Sequence, residues 1–436
     1  MNLNIENFPR LLVITVNAWS DKNSAGNTIS NHLGGWDKSK LSNLYLRNEE
    51  IDNDCCNTYF KIDEKEILTS FFSKKGLGSE VLYTKAIKSQ PTSKITKVSN
   101  IKNFLIRIRP TIILLLREIY WKIGFQRKDK LDDFLKKNAP EVIYFLCFSL
   151  IYGHWILHYC HKKSNSKIVV FHGDENYSYK SYWPLSFFYQ FILRYWIRKT
   201  IAIASINYAA TPELRDYYSR IFGKEFKVLY KGISFTPVST KTILKPLKIV
   251  YAGNLLYGRW QTLSLISKAI SEVSKDQNEF ELSIYTGTPL SKEMHGNLNT
   301  KNSSVFEAVS FIEVEKIMRD ADIVLHVESF NKKHIKITKY SFSTKITDCI
   351  QSGNCIMGVG PSELASINFL KNSGCALIAN NYIEIVTQLK NISLNSKILE
   401  NYSENSNIFA KKIFDLDSNR LKLRNDIVNI NKQVGC

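Results

Sequence analysis

The feature that most constrains this chain is an alternation of short apolar runs with helical patterns, carried out twice. "RLLVITV" (Arg10–Val16), "EVIYFLC" (Glu141–Cys147), "KIVVFH" (Lys167–His172), "IAIASINYAA" (Ile201–Ala210) and "FKVLYKGI" (Phe226–Ile233) each read as a buried strand. Helical patterns such as "ELRDYYSRIFG", stopping at Gly223, lie between them. "SFTPVSTKTILKP" (Ser234–Pro246) breaks the pattern with Pro, Ser and Thr. The alternation then restarts with "LKIVYAGN", "FELSIYTG", "ADIVLHVE", "NCIMGVG" and "GCALIA". The amphipathic "QTLSLISKAISEV" follows the first of these, with Leu263, Ile266 and Ile270 on one face. Strand–helix alternation predicts parallel sheets covered by helices on both faces. A chain of 436 residues is too long for one ordinary core. The expected organisation is a Rossmann-like domain over 1–236, a linker over 237–246, and a second Rossmann-like domain over 247–402. The charged segment 403–436 is expected to form helices packing back toward the first domain. Ligands of such sheets bind at the carboxyl ends of the strands, so motifs there carry most weight.

The charge is basic and uneven. The net charge is +19, and the first 240 residues hold 35 Lys and Arg against 21 Asp and Glu. Such a half attracts nucleic acid, anionic lipid or phosphorylated ligands. Eight cysteines show no CxxC spacing and no histidines at zinc spacing, which predicts free thiols in a reducing cytoplasm. "MNLNIENFPRLLVITVNAW" does not read as a signal peptide. "IYFLCFSLIYGHWILHYC" comes closest to a membrane span, but Gly153, His154 and His158 interrupt it. A buried strand followed by a helix is expected there.

Three stretches of the second half suggest chemistry. "STKITDCIQSG" (Ser343–Gly353) predicts a short helix with Ser343 as N-cap and Gly353 as stop. The hydroxyls of Ser343 and Thr344, the free N–H groups and Lys345 suit a phosphate, and Asp348 one turn on suits a ribose. A capped surface helix with a solvated Lys/Asp pair is the plainer alternative. "YAGNLLYGRW" (Tyr251–Trp260) is a strand, a glycine-containing loop and a helix start carrying Arg259. Gly253 and Gly258 allow close backbone approach, and Arg259 suits a diphosphate. "ADIVLHVESF" ends a strand at Glu328, where a carboxylate accepts bonds from sugar hydroxyls or simply caps a helix.

The ordered set "YAGN…GRW…ADIVLHVES…STKITDCIQSGNCIMGVGPSELASI" resembles the C-terminal half of a retaining GT-B glycosyltransferase. It is similar to the bacterial family 4 type of capsular polysaccharide and O-antigen assembly. The resemblance covers roughly 248–378 and implies two doubly wound α/β domains facing across a cleft. It implies transfer from a nucleotide-diphospho-sugar, UDP-sugar foremost, to a saccharide or polyprenyl-diphosphate-linked acceptor. No metal ion or other cofactor is implied. Carried over by position, Arg259 and Lys345 hold the diphosphate, with Ser343, Thr344, Gly253 and Asn254 around it. Asp348 stands at the ribose, where the family usually has Glu. Glu328 touches the donor sugar, and Val309 and Ser310 lie where the base is read through backbone groups. Glu328 and Asp348 are twenty residues apart rather than the family's usual eight or so, with "NKKHIKITKY" inserted between them. A non-catalytic GT-B scaffold, or a nucleotide-sugar epimerase or hydrolase, is the alternative.

The first half agrees more loosely. In "NSAGNTISN", Ser24, Gly26 and Asn27 form the loop and helix start after the first strand. In "VFHGDENYSY", His172 and Asp174 stand at a strand end, and the resemblance gives His172 a contact to the donor sugar. A strand-end histidine is more often structural. His154, His158 and His161 share a helical face, which reads as an aromatic-rich core face rather than a metal site. "NFLIRIRPTIILLLREIYWKIGFQRKDK" and "SYWPLSFFYQFILRYWIRK" mix apolar faces, aromatics and Arg/Lys. They suit an anionic membrane surface, so a peripheral position on the inner face of the cell membrane is expected. No nucleic-acid fold signature is present.

Overall fold

A computed structural model describes residues 8–20, 24–51, 53–72, 76–81, 111–178, 185–233, 243–274, 277–341 and 345–432. The chain forms two compact units, Met1–Leu229 with Arg420–Cys436, and Tyr230–Asn419.

The first unit is built on an eight-stranded sheet of order β4-β3-β2-β1-β5-β6-β7-β8. Its strands are β1 (Leu11–Thr15), β2 (Leu41–Tyr45), β3 (Thr58–Lys61), β4 (Ser79–Val81), β5 (Val142–Leu146), β6 (Lys167–His172), β7 (Ile206–Ala209) and β8 (Lys227–Val228). Every pairing is parallel except β3–β4. β1 is central, with Leu11 opposite both Leu41 and Val142. Alternate residues of β1 enter different cores. Leu11 and Val13 pack with Trp19, Ile29 and Tyr144, whereas Leu12 and Ile14 pack with Phe60, Trp121 and Phe134. This is why the run is apolar throughout rather than alternating. The helix Ile151–Ser164 follows β5, as "IYFLCFSLIYGHWILHYC" predicts. "IAIASINYAA" is not strand throughout. Its first three residues finish the helix Ser186–Ile203, and only Ile206–Ala209 pair into the sheet.

The second unit has a six-stranded, all-parallel sheet of order β11-β10-β9-β12-β13-β14. The strands are β9 (Leu247–Ala252), β10 (Phe280–Thr286), β11 (Ser303–Glu307), β12 (Ile323–Val327), β13 (Cys355–Val359) and β14 (Ala376–Ala379). Counted from β9 this is the 3-2-1-4-5-6 order of a doubly wound sheet, whose direction of winding reverses between β9 and β12.

Of the expected linker, 237–242 lie outside the described residues. The units divide between Leu229 and Tyr230 and between Asn419 and Arg420, and packing explains both points. Tyr230 packs edge-on against Phe414, and Ile233 N–H donates to the Phe414 carbonyl at 2.7 Å, so these residues join the second unit. The helix Lys397–Ile413 also belongs there, with Ala410 in the core beside Val324. The end of the last helix, Leu416–Lys432, belongs to the first unit. Leu423, Ile427 and Val428 fill the core behind β1, and Arg420 and Arg424 donate to the carbonyls of Asn31 and Gly34. Seven described cysteines are free. Among the described residues no helix is long and apolar enough to cross a membrane.

Candidate active site

In the second unit the winding reversal coincides with a cluster of charge. Arg259 opens the helix Arg259–Ser274 after β9, and Glu328 is the first residue beyond β12. The Arg259 Nη2 donates to both Glu328 oxygens, at 3.0 and 3.2 Å. The Arg259 Nε donates to the Val327 carbonyl at 3.2 Å, and Nη1 to Asn254 Oδ1 at 3.0 Å. The side chains are 13% and 5% exposed, so the ion pair is nearly dry. Burial raises the Glu328 pKa while Arg259 opposes the rise. The carboxylate is also anchored through its backbone: Glu328 N–H donates to Val359, and Thr262 Oγ1 donates to the Glu328 carbonyl. Gly258, with φ +77°, turns the chain beneath this group, and a side chain there would strike Ser329 and His334.

Lys345 opens the helix Lys345–Gln351 and joins the same cluster. Its ammonium lies across Gly253, where any Cβ would overlap it, and 5.2 Å from the Tyr251 ring centroid. Gly253 is therefore needed for the lysine rather than for the turn. Burial first, then the Arg259 charge, pushes the Lys345 pKa down to about 8. Asp348, one turn on, accepts from Lys231 at 3.3 Å, and burial raises its pKa against the pull of that lysine. The arrangement concentrates positive charge at strand ends, with its carboxylates already committed to partners. Such a set of cations can hold an anion.

Six of the residues singled out in the sequence meet here: Gly253, Asn254, Arg259, Glu328, Lys345 and Asp348. Ser343 and Thr344 lie outside the described residues. Two of the expected residues have structural roles of their own. Ser310 is the N-cap of the helix Phe311–Asp320 and closes a capping box with Glu313. Its N–H donates to Glu313 and its carbonyl accepts from Val314, which commits the N–H to the cap and leaves one carbonyl lone pair open. His172 is fully buried, its ring edge-on to Tyr218 at 5.1 Å, and burial pushes its pKa down to about 3. It is a neutral core residue, and no face of it is presented to a sugar. In the first unit, Ser24 and Asn27 belong to the helix Ser24–Leu33, and Gly26 fits tightly against the Ser20 carbonyl. Asp174 is exposed beside β6.

Three participants escaped the sequence reading. His326 is buried, pushed down to about 3 by burial, with Nε2 3.7 Å from Glu328 Oε1. A histidine two residues before Glu328 in a strand shares its face, and that spacing was a usable signal. Tyr251 supports Lys345 from within an ordinary strand run. Lys231 lies 117 residues from Asp348, and nothing local connects them.

No family model and no curated protein matches the sequence. Solved structures do. Anabaena HepE in complex with UDP superposes with a TM-score of 0.64 at 10% identity, over 96% of this chain and 100% of that one. Sucrose-phosphate synthase from Thermosynechococcus elongatus gives 0.58 at 9%, over 97% and 98%. WaaG, a glycosyltransferase involved in lipopolysaccharide biosynthesis, gives 0.57 at 10%, over 96% and 99%. These neighbours are GT-B glycosyltransferases, and the fold of this chain is GT-B.

Proposed function

We propose that the protein is a glycosyltransferase that moves a sugar from a nucleotide-diphospho-sugar, UDP-sugar as donor, to a saccharide acceptor. The observation that carries this reading is the buried Arg259–Glu328–Lys345 cluster at the winding reversal of the second sheet. The presence of UDP or UDP-glucose in similar folds supports it. The acceptor hydroxyl oxygen bonds to the anomeric carbon while the bond from that carbon to the β-phosphate oxygen breaks. The leaving diphosphate takes the electron pair, and a phosphate oxygen takes the hydroxyl proton. Arg259 and Lys345 neutralise the charge that develops, which is commonly the largest single catalytic contribution. With two fixed cations in that role, the reaction runs without a metal ion, and the resemblance to retaining GT-B enzymes implies retention at the anomeric carbon. Asp348, steadied by Lys231, accepts from the ribose hydroxyls. The acceptor is lipid-linked, the product enters a surface polysaccharide, and the protein works at the anionic inner face of the cell membrane.

The test is a thermal-shift panel of UDP, GDP, ADP, CMP and dTDP on the wild type and on Lys345→Ala, followed by turnover of the preferred donor in EDTA. UDP alone is expected to raise the wild-type melting temperature. The variant is expected to fold, to respond weakly to UDP, and to lose about 10²–10³ in turnover. A cooperatively melting wild type that responds to no nucleotide would leave a scaffold as the better reading. Turnover that disappears in EDTA would remove the metal-free part of the proposal.

A further inference from the structure

The helix Thr111–Gly124 of the first unit turns an apolar stripe to solvent. Ile112, Leu116, Ile119 and Ile123 recur at i, i+4, i+7 and i+11 and are 47%, 60%, 55% and 53% exposed. The helix Ser186–Ile203 does the same with Phe187 and Phe191, 77% and 67% exposed. The two helices contact each other. With the helix Ile151–Ser164 they enclose an open groove of about 650 Å³. Ile119, Trp155, Phe188, Ile192 and Trp196 line it, and Lys122 and Lys128 stand at it. This volume falls within the ~300–1,000 Å³ range of small-molecule sites. Several large apolar side chains exposed on neighbouring helices mark an interaction site on a protein surface.

The charge around the groove selects an occupant. The two stripe-bearing helices carry Arg117, Lys122, Arg194, Arg198 and Lys199 against one acid, Glu118. That acid is buried and committed: it accepts from Tyr152 N–H at 2.8 Å and from the Tyr189 hydroxyl at 3.2 Å, and it pairs with Arg117. The exposed remainder is apolar and cationic, with Trp155, Trp196 and Tyr195 between. This is the composition of a surface seated at the boundary of an anionic bilayer.

We propose that this face docks on an anionic lipid bilayer and that the groove takes one hydrocarbon chain of a lipid, its anionic head near Lys122 and Lys128. The inference rests on the membrane part of the proposed function but stands apart from the donor site. The test uses the full-length protein with vesicles of phosphatidylcholine alone, or of equal parts phosphatidylcholine and phosphatidylglycerol. The lipids carry bromine on the acyl chain. Binding is expected to be on the order of tenfold or more stronger with the anionic vesicles. Acyl-chain bromine is expected to quench tryptophan fluorescence, and Trp155→Phe/Trp196→Phe to remove most of that quenching. Leu116→Glu/Phe191→Glu changes only exposed positions and is expected to abolish binding. Three results would overturn the proposal. One is binding that needs the anionic lipid but shows no chain-dependent quenching. Another is the absence of binding. The last is self-association without lipid that Leu116→Glu/Phe191→Glu dissolves, which would make a second copy the occupant. The UDP response of the wild type, measured separately, tells failure of the groove from failure of the donor reading.

Discussion

Both units of this chain are built on parallel or nearly all-parallel sheets, yet their strand ends hold different chemistry. In the second unit the ends of β9 and β12 carry a guanidinium, a carboxylate and an ammonium drawn together in near-dry surroundings. In the first unit the end of β6 carries His172, neutral and enclosed by Tyr218 and Phe226. The segment after it is tied down internally, with Glu175 accepting from Ser178 N–H and Asn176 N–H donating to the Tyr218 hydroxyl. The contrast shows that winding alone does not make a site. A sheet offers its strand ends as a place, and the buried charge gathered there in the second unit marks that place as the candidate site.

The largest expected effect tests whether the charged end is a grip or merely an ion pair. Removing Arg259 strands Glu328 in a buried position, which typically costs about 3–5 kcal/mol. Arg259→Met is therefore expected to lower stability by that amount in urea unfolding, and to lower donor turnover by about 10²-fold. Arg259→Met/Glu328→Leu is expected to recover most of the stability and none of the turnover. Recovery of both would mean that the pair only holds the fold together.

The next effect sharpens the comparison through pH. The folded-state pKa of Lys345 is about 8, against an ordinary 10.5. Between those values the unfolded chain binds the extra proton, so this group makes stability rise with pH across roughly 8 to 10.5. A bound diphosphate favours the ammonium and lifts its pKa, so UDP binding takes up a proton near pH 8. UDP affinity is expected to hold below pH 8 and then to fall by up to about tenfold per unit. Calorimetry in buffers of different ionisation enthalpy reads the uptake directly. Uptake that persists in Lys345→Met would assign the proton to another group.

The two units were also unequally legible. In the second, the apolar runs predicted β9, β10, β12, β13 and β14, with Glu328 at the end of β12 and Arg259 and Lys345 at helix starts that turn residues mark. The link between Lys231 and Asp348 was invisible, since it depends on how the chain returns to the unit after β8. In the first unit β2 and β3 were missed. "LSNLY" carries Ser42 and Asn43, whose buried side chains bond to the carbonyls of Leu11 and Val13, so a polar-looking segment sits in a central position. His172 was misplaced for a related reason. Position at a strand end is readable from sequence, but the side chain's face depends on Tyr218 and Phe226, which arrive from the helix Pro212–Phe222 and beyond.

The smallest expected effect bears on that histidine. If His172 is a core residue, His172→Phe perturbs packing and leaves donor chemistry alone. Overpacking a filled site costs about 1–3 kcal/mol, so the melting temperature falls. Turnover by the folded fraction is expected to stay within about threefold of the wild type, because no interaction with a transition state is removed. The informative comparison is with Lys345→Ala measured alongside, for which stability and turnover separate in the opposite sense. A His172→Phe protein that remains folded and binds UDP normally, yet turns over a hundredfold more slowly, would return the histidine to the reaction. It would also require the first unit to open at β6 when the donor binds, since the ring as it stands is sealed on every side.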